Sequence, residues 1–294
     1  MITQSNEEVI RFATQGHESG TTSALVALVE IRGGAPRPLG SLLAVRETGL
    51  YCGYISGGCV EAAVATEAIA AIHAGQDRML KFGEGSPFFD IVLPCGGGIT
   101  VAIHIVRDAK PLRTVLAELN ARRCASLDYD ARLQSLTAVS DIQSVGWTGD
   151  VFRVRFRPKC RVVAAGRSIE ADVTARVLQS SGYEVISTGL RDELDLNCID
   201  PDTAFITLSH DLENEVPLLA RVLSSTIPFY LGALGGKRTH ARRSEMLRSL
   251  GCSDMDINRI VAPIGLLPQA RDASTLAISV AADIAASRHA LVHI

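Results

Sequence analysis

The feature that most constrains the fold is a regular alternation in the second half of the chain. From residue 161 onward, short apolar runs are each followed by a stretch in which apolar side chains recur with helical spacing. The apolar runs cover residues 162–165, 183–187, 204–208 and 229–231. Because buried parallel strands are joined by helices that cross over the sheet, this alternation predicts a doubly wound parallel sheet of the α/β class.

The first half has a different pattern, in which strand-like segments alternate with glycine-rich loops. The segments predicted as strands are 23–31, 42–45, 91–93, 99–106, 125–130, 133–139 and 151–156. Those predicted as helices are an amphipathic opening stretch around residues 10–13, 60–72 and 112–123. The chain has 294 residues, about twice the common size of a single domain. We therefore expect an α+β domain over residues 1–157 and a Rossmann-like domain over 158–294, with the boundary near Pro158.

Three loops of the first half are rich in glycine: residues 33–40 (GGAPRPLG), 56–61 (SGGCVE) and 95–98 (CGGG). Adjacent glycines leave backbone amides open to a bulky anionic ligand. Cys59 directly precedes a predicted helix, whose N-terminus favours the thiolate form that binds soft metals, and Cys95 stands in a loop of the same kind. The alternative reading, tight turns beside structural thiols, is about equally compatible with these residues.

Two further segments are candidates for binding an anion. Arg37 lies on a loop stiffened by two prolines, where a guanidinium either binds a phosphate or carboxylate or stays solvated. In the second domain, the first predicted strand ends at Gly166, but a dinucleotide fingerprint needs two more glycines, and Ile169 occupies one of those positions. The acid that would bind a ribose is replaced near Gly189. This segment therefore does not predict ordinary NAD binding.

Polar side chains follow the predicted parallel strands at the end where such sheets bind ligands. Arg167 and Arg191 follow the first two strands, and residues 209–211, which include His210, follow the third. The two arginines suit the phosphate of a pterin or of NADP, or else are solvated surface charges. Residues 209–211 read Ser-His-Asp, but sequence neighbours point in different directions and do not form a catalytic triad.

Charge and cysteine usage exclude several classes of protein. Lys and Arg number 29 and Asp and Glu 32, for a net charge of -3, which gives no broad reason to expect a nucleic-acid or membrane partner. A secretory leader and a membrane-spanning apolar run are both missing from the sequence, so we expect a cytoplasmic protein. Seven dispersed cysteines without a CxxC pair argue against a disulfide framework or a zinc ribbon.

The glycine-rich loops, together with 208–211 (LSHD), 231–235 (LGALG) and 259–266 (RIVAPIGL), resemble the XdhC/CoxI family of xanthine dehydrogenase accessory proteins. The resemblance covers nearly the whole chain. It implies a chaperone without catalytic residues that binds the molybdenum cofactor (molybdopterin) as cargo and protects it during sulfuration. It also implies delivery to an apo molybdenum hydroxylase of the xanthine dehydrogenase type, a cysteine desulfurase as a further partner, and a homodimer.

The same resemblance implies which residues meet the cofactor. The two cysteines would contact molybdenum or its sulfur, Arg37 and the loop glycines would hold the pterin phosphate, and the Rossmann-like half would close over the ligand. The implied cofactor-binding residues are Arg37, Ser56, Gly57, Gly58, Cys59, Glu61, Cys95, Gly96, Gly97, Gly98, Gly166, Arg167 and His210. The chain departs from the family's usual GAGH at 164–167, which reads AAGR.

Two other classes of function are compatible with the sequence. The alternation of strands and helices, with the two arginines, would fit an oxidoreductase that uses NAD(P) on the altered Rossmann-like half. The weak fingerprint, and the lack of an evident acid–base pair, would fit an adaptor that holds no small ligand.

Overall fold

The chain divides into two units, Met1–Pro158 and Lys159–Ile294, and each is described by itself. A computed structural model describes residues 5–83, 86, 96–140, 144–225, 227–268 and 270–292, without the side chain of residue 292. Within these ranges, none of the helices combines the length and the apolar character that crossing a bilayer requires.

The first unit is built on an antiparallel sheet of five strands in the order β3-β2-β1-β5-β4. The strands are β1 (Ser23–Arg32), β2 (Leu42–Arg46), β3 (Tyr51–Gly53), β4 (Arg78–Gly83) and β5 (Gly98–Ile105). One face is covered by α2 (Glu61–Ala74), and the other by α1 (Asn6–Glu18) and α3 (Lys110–Asn120). Because both faces are covered, β5 buries all its side chains, as an apolar central strand must.

The central strand β1 contains a bulge. Its pairing with β5 shifts by one residue between Leu28 and Glu30, which leaves Val29 as the extra residue. The Val29 carbonyl accepts a hydrogen bond from Trp147 Nε1 at 3.1 Å. A side chain thus provides the donor for a backbone carbonyl at the bulge, where the pairing of the strands is interrupted. Beyond the bulge, Glu30 and Arg32 lie on the same face and form an ion pair of 2.8 Å.

The remainder of the first unit is an antiparallel sheet of four strands in the order β7-β6-β9-β8. Its strands are β6 (Ala125–Asp130), β7 (Ser135–Val139), β8 (Gly146–Thr148) and β9 (Val151–Phe156). The buried alternate residues of β9 join the apolar cluster of α1 and α3, and the strands predicted at 125–130 and 151–156 are confirmed. The strand predicted at 99–106 is confirmed as β5, and the one predicted at 91–93 lies outside the described residues. Strands β3, β4 and β8 were not predicted, because they are short or polar and pair at a sheet edge with one neighbour only.

The second unit is a parallel sheet of five strands in the order β11-β10-β12-β13-β14. The strands are β10 (Arg161–Ala165), β11 (Glu184–Thr188), β12 (Thr203–Thr207), β13 (Tyr230–Ala233) and β14 (Ile260–Val261). The helices are α4 (Ile169–Ser180), α5 (Leu212–Ser225), α6 (Lys237–Ser249), α7 (Asp254–Ile257) and α8 (Ala273–Val292).

Helices cover both faces of this sheet, which confirms the predicted doubly wound fold. Helices α4 and α8 pack on one face, and α5 and α6 on the other. The strand order reverses between β10 and β12, whose carboxyl ends therefore form the topological switch point where such sheets bind ligands.

A fully buried ion pair connects two helices of the second unit with the ends of two strands. Arg243 and Glu215 are both 0% exposed, and Arg243 Nε lies 2.9 Å from Glu215 Oε2. Arg243 also donates to the Leu234 carbonyl at 2.6 Å, and the Thr207 hydroxyl donates to Glu215. These bonds hold the loops after β12 and β13 in place, because a buried charge is tolerated only while its partners surround it.

We expect Arg243→Ala to destabilise the second unit by about 3–5 kcal/mol, because it leaves the Glu215 carboxylate buried without its partner. Urea denaturation measures the change. Arg248→Ala, on the same helix, removes an exposed ion pair with Asp254 and should cost less than about 1 kcal/mol. Equal losses in the two variants would contradict the role given to the buried pair.

Candidate functional site

The glycine-rich loops of the first unit start from the same end of its five-stranded sheet. Arg32, the last residue of β1, pairs with Gly98, the first residue of β5. Leu43, near the start of β2, pairs with Gly53, the last residue of β3. Because β1 and β2 are antiparallel neighbours, both junctions lie at one end of the sheet. The described segments that leave this end are 33–40, 54–60 and 96–97.

Gly97 allows two of these loops to touch through their backbones. A Cβ on Gly97 would lie 2.6 Å from the carbonyl oxygen of Gly34 and would also clash with the carbonyl oxygen of Arg32. No side chain fits at this position without movement of the backbone. On the other side, Pro36 lies 3.8 Å from the point where a Cβ on Gly57 would stand. The 33–40 loop therefore contacts both of the other loops.

The 54–60 loop wraps around the carboxylate of Glu61, which is 2% exposed. Glu61 Oε1 accepts hydrogen bonds from the amides of Ile55 and Ser56 at 3.0 and 2.8 Å. Its Oε2 accepts from the amides of Gly58 and Val60 at 2.9 and 3.2 Å, and from the Ser56 hydroxyl at 2.7 Å. Burial raises the pKa of the Glu61 carboxyl. The hydrogen bonds from Ser56 and Ile55 lower it by a larger amount, so the pKa lies below its usual value.

These bonds correct the expectation that the amides of this loop stand open to an anionic ligand. The amide of Gly58 donates to Glu61, and the amide of Cys59 donates to Ser56 Oγ at 3.1 Å. The polar groups of Ser56 and Glu61, two predicted cofactor ligands, are directed into the loop itself. Between residues 55 and 60, all of which the structure describes, the Gly57 amide alone has no hydrogen-bond acceptor.

The thiol of Cys59 is exposed, and the residue immediately precedes Val60, the N-cap of α2. The predicted position at a helix N-terminus is therefore confirmed. Cys95, the second predicted metal contact, lies outside the described residues. Of the predicted glycines, Gly57, Gly58 and Gly96 are exposed, and Gly97 and Gly98 are buried. In the described part of the chain, no three His, Cys, Asp or Glu side chains are grouped to hold a metal ion.

Arg37 lies over an aromatic ring at this end of the sheet. Its guanidinium carbon is 5.6 Å from the centre of the Tyr54 ring, a cation–π distance. Within the described ranges, Arg37 forms no ion pair and no side-chain hydrogen bond. Tyr54 was not identified from the sequence, although an aromatic residue directly before a glycine-rich loop was the available signal. The pair places a cation beside the loop that contains the open Gly57 amide.

In the second unit, three predicted site residues lie at the switch point of the parallel sheet. Gly166 and Arg167 follow β10, and the exposed His210 follows the neighbouring strand β12. Gly166 has a φ of +144°, and a Cβ there would lie 2.9 Å from the carbonyl carbon of Leu208. The hydroxyl of Ser168 donates to the Leu208 carbonyl at 3.1 Å. The backbones that follow the two strands are therefore packed directly against each other.

The arginines at this end are paired with other side chains. Arg167 lies 3.0 Å from a carboxylate oxygen of Asp192, which also accepts from the Gly189 amide at 2.7 Å. Arg191 donates to Asn214 Oδ1 at 2.7 Å. The place expected for a ribose-binding acid holds Thr188 and Gly189, and Asp192, three residues later, folds back to the Gly189 amide and to Arg167. The contact of Asp192 with Gly189 could not be predicted from the sequence, because it depends on the path of the loop that follows β11.

The N-terminus of α4 already holds an acidic side chain. The pKa of the Glu170 carboxyl is lowered, chiefly by a hydrogen bond from the backbone N–H of the same residue and further by the nearby His210. In dinucleotide-binding folds the pyrophosphate binds at this helix N-terminus. A carboxylate there disfavours a phosphate, so this geometry gives no support to the NAD(P) alternative.

Comparison with known proteins produced matches for both units. A model of the XdhC and CoxI family matches residues 17–83, and a model of the XdhC Rossmann domain matches residues 162–284. The chain is 48% identical over 287 residues to the molybdenum cofactor insertion chaperone PaoD of Escherichia coli (strain K12). That match covers 98% of this chain and 90% of PaoD.

Two more distant matches cover nearly the whole chain. The uncharacterized protein YqeB of Escherichia coli (strain K12) is 26% identical over 273 residues, which are 92% of this chain but only 44% of YqeB. A crystal structure described as a xanthine dehydrogenase from Bacillus halodurans superposes with a TM-score of 0.74 at 17% identity, and the match covers 96% of each chain. At that identity the likeness shows the shared fold.

We expect Gly97→Ala to separate the 33–40 loop from the start of β5, because the added methyl group meets backbone atoms of Arg32 and Gly34. The cost is about 1–3 kcal/mol, as for other overpacked sites. Hydrogen–deuterium exchange over residues 33–40 measures the separation. Gly96→Ala is the control, since a Cβ there meets nothing within 4 Å and only the φ of +69° is unfavourable. Equal exchange in the two variants would rule out the contact as the cause.

Proposed function

Because this chain belongs to the XdhC and CoxI family, we propose that it binds the molybdenum cofactor as cargo and passes it to an apo molybdenum enzyme. The name of PaoD, a molybdenum cofactor insertion chaperone, supports the proposal, because the two chains are 48% identical over nearly their full lengths. The observation on this chain that carries the proposal is the exposed Cys59 thiol on one of three loops that meet at one end of a sheet.

Cys59 supplies the contact to molybdenum or to its sulfur. A thiolate is a soft ligand, and the exposure of this thiol leaves it accessible to a bulky cargo. The backbone on either side is tied to Ser56 and Glu61, so the thiol is carried by a loop with a defined path. We assign a second contact to Cys95 in the third glycine-rich loop.

Arg37 and the Gly57 amide hold the phosphate of the pterin. A guanidinium binds phosphate oxygens through two parallel N–H bonds, and that of Arg37 has no acidic partner among the described residues. The Gly57 amide is the donor that Glu61 and Ser56 leave free in the neighbouring loop. Pro36 contacts Gly57, so the two donors belong to adjoining segments.

The protein acts as a maturation factor. The carboxylate nearest Cys59 in the sequence is that of Glu61, and its two oxygens accept five hydrogen bonds from the loop. Glu61 is therefore not placed to exchange a proton with the cargo. The cofactor is protected here while a cysteine desulfurase supplies its terminal sulfur, and the recipient is a molybdenum hydroxylase of the xanthine dehydrogenase type.

We expect the double variant Cys59→Ala, Cys95→Ala to lose at least 90% of the molybdenum cofactor that copurifies with the protein from a cofactor-producing host. Arg37→Ala should weaken retention about tenfold, which corresponds to about 1.4 kcal/mol of binding free energy. Metal analysis and fluorescence of the oxidised pterin, per mole of protein, provide the measurement.

Cys252→Ala is the matched control, because this thiol is only partly exposed and belongs to the second unit. It should retain the cofactor at the level of the unsubstituted protein. Full retention in the double cysteine variant would show that the cargo site lies elsewhere. Native mass spectrometry of freshly purified protein that shows no small ligand at all would instead favour an adaptor.

A further inference from the structure

The carboxylate of Glu61 is a buried charge that no cationic side chain of the described residues neutralises. Within the described part of the chain it forms no ion pair, and its surroundings are four backbone amides and one hydroxyl. An isolated charge of this kind is costly to bury unless hydrogen bonds replace the water it loses. The carboxylate and the path of the 54–60 loop therefore depend on each other.

From these contacts we propose that Glu61 is a positioning residue, which fixes the place where the Cys59 thiol meets the cargo without touching the cargo itself. The proposal rests on the function proposed above. It differs from the role that the sequence resemblance implied, because Glu61 points into the loop and not toward a ligand.

The connection between Glu61 and Cys59 passes through Ser56. The Ser56 hydroxyl donates to Glu61 Oε2 at 2.7 Å and accepts from the amides of Cys59 and Val60 at 3.1 and 3.0 Å. Two hydrogen bonds thus join the carboxylate to the backbone of Cys59. Because Glu61 is also the first residue of α2, the loop is anchored to a helix whose apolar face packs on the sheet.

Only an acceptor with two oxygens satisfies this arrangement. A carboxylate offers about four lone-pair sites and no hydrogen, whereas the amide of glutamine would turn an NH₂ group toward the N–H donors of the loop. Glu61→Gln therefore keeps the size of the side chain and removes its function. Glu61→Asp keeps the carboxylate and shortens the side chain by one methylene, so it should restore part of the arrangement.

The experiment compares the full-length protein with its Glu61→Gln, Glu61→Asp and Ser56→Ala variants. The alkylation rate of Cys59 by iodoacetamide, followed by mass spectrometry of its peptide, reports on the loop without any cofactor. The copurified molybdenum cofactor, measured as above, reports on the cargo. Glu67→Gln is the matched control, since it makes the same change on the same helix at a partly exposed glutamate whose partner is Arg78.

We expect Glu61→Gln to raise the alkylation rate at least fivefold, because the freed loop exposes the thiol from more directions, and to lower cofactor retention at least tenfold. Glu61→Asp should recover part of both values, and Glu67→Gln should change neither. If Glu61→Gln does not fold, Ser56→Ala decides the question, because it keeps the carboxylate and its four bonds from backbone amides while it removes the hydroxyl that links Glu61 to Cys59.

The proposal is overturned if the alkylation rate is unchanged, or if the rate rises while cofactor retention stays at the level of the unsubstituted protein. The second result would make Glu61 a structural residue only. If the unsubstituted protein holds no cofactor, the proposed function fails, and a fivefold rise in alkylation would still support the positioning of Cys59. The two failures are therefore distinguishable.

Discussion

A charge buried beneath a loop must be surrounded by donors, and this requirement shapes the functional end of the first unit. The Glu61 carboxylate has taken up the amides of Ile55, Ser56, Gly58 and Val60, so the loop has little choice of path. Two groups of this loop are not used by these internal bonds and remain accessible to a ligand: the Cys59 thiol and the Gly57 amide. The Glu61 carboxylate thus determines which donors of the loop remain for an anionic ligand.

Both units carry glycine-rich segments that suggest anion binding, and in both a carboxylate of the protein occupies a place expected for the ligand. Glu61 takes the loop amides of the first unit. In the second unit Glu170 lies at the N-terminus of α4, and Asp192 pairs with Arg167. Glycine content therefore marks loops of close backbone approach, and the accompanying acids decide whether such a loop accepts a phosphate.

Periodicity predicted the elements that span the core, because a buried strand must be apolar along its length. It failed for β3 and β14, which have three and two residues and too little sequence to show a pattern. Within the site, exposure of Cys59 could be inferred from its loop, but the inward direction of Glu61 could not. Ser56 and Glu61 are five residues apart and do not match the spacing of a capping box. Their contact depends on the path of the loop, which the contact itself stabilises.

The bulge at Val29 controls which side of the sheet each later side chain of β1 reaches. Residues Ala24, Val26 and Leu28 face α2, yet after the extra residue it is Ile31 that joins the same apolar cluster, and Glu30 is turned away from it. If the same residues formed a strand without the bulge, regular alternation from Leu28 would turn Glu30 toward α2 and place its carboxylate in that apolar cluster. One extra residue therefore allows a strand that begins with apolar side chains on both faces to end in a charged pair without a charge in the core.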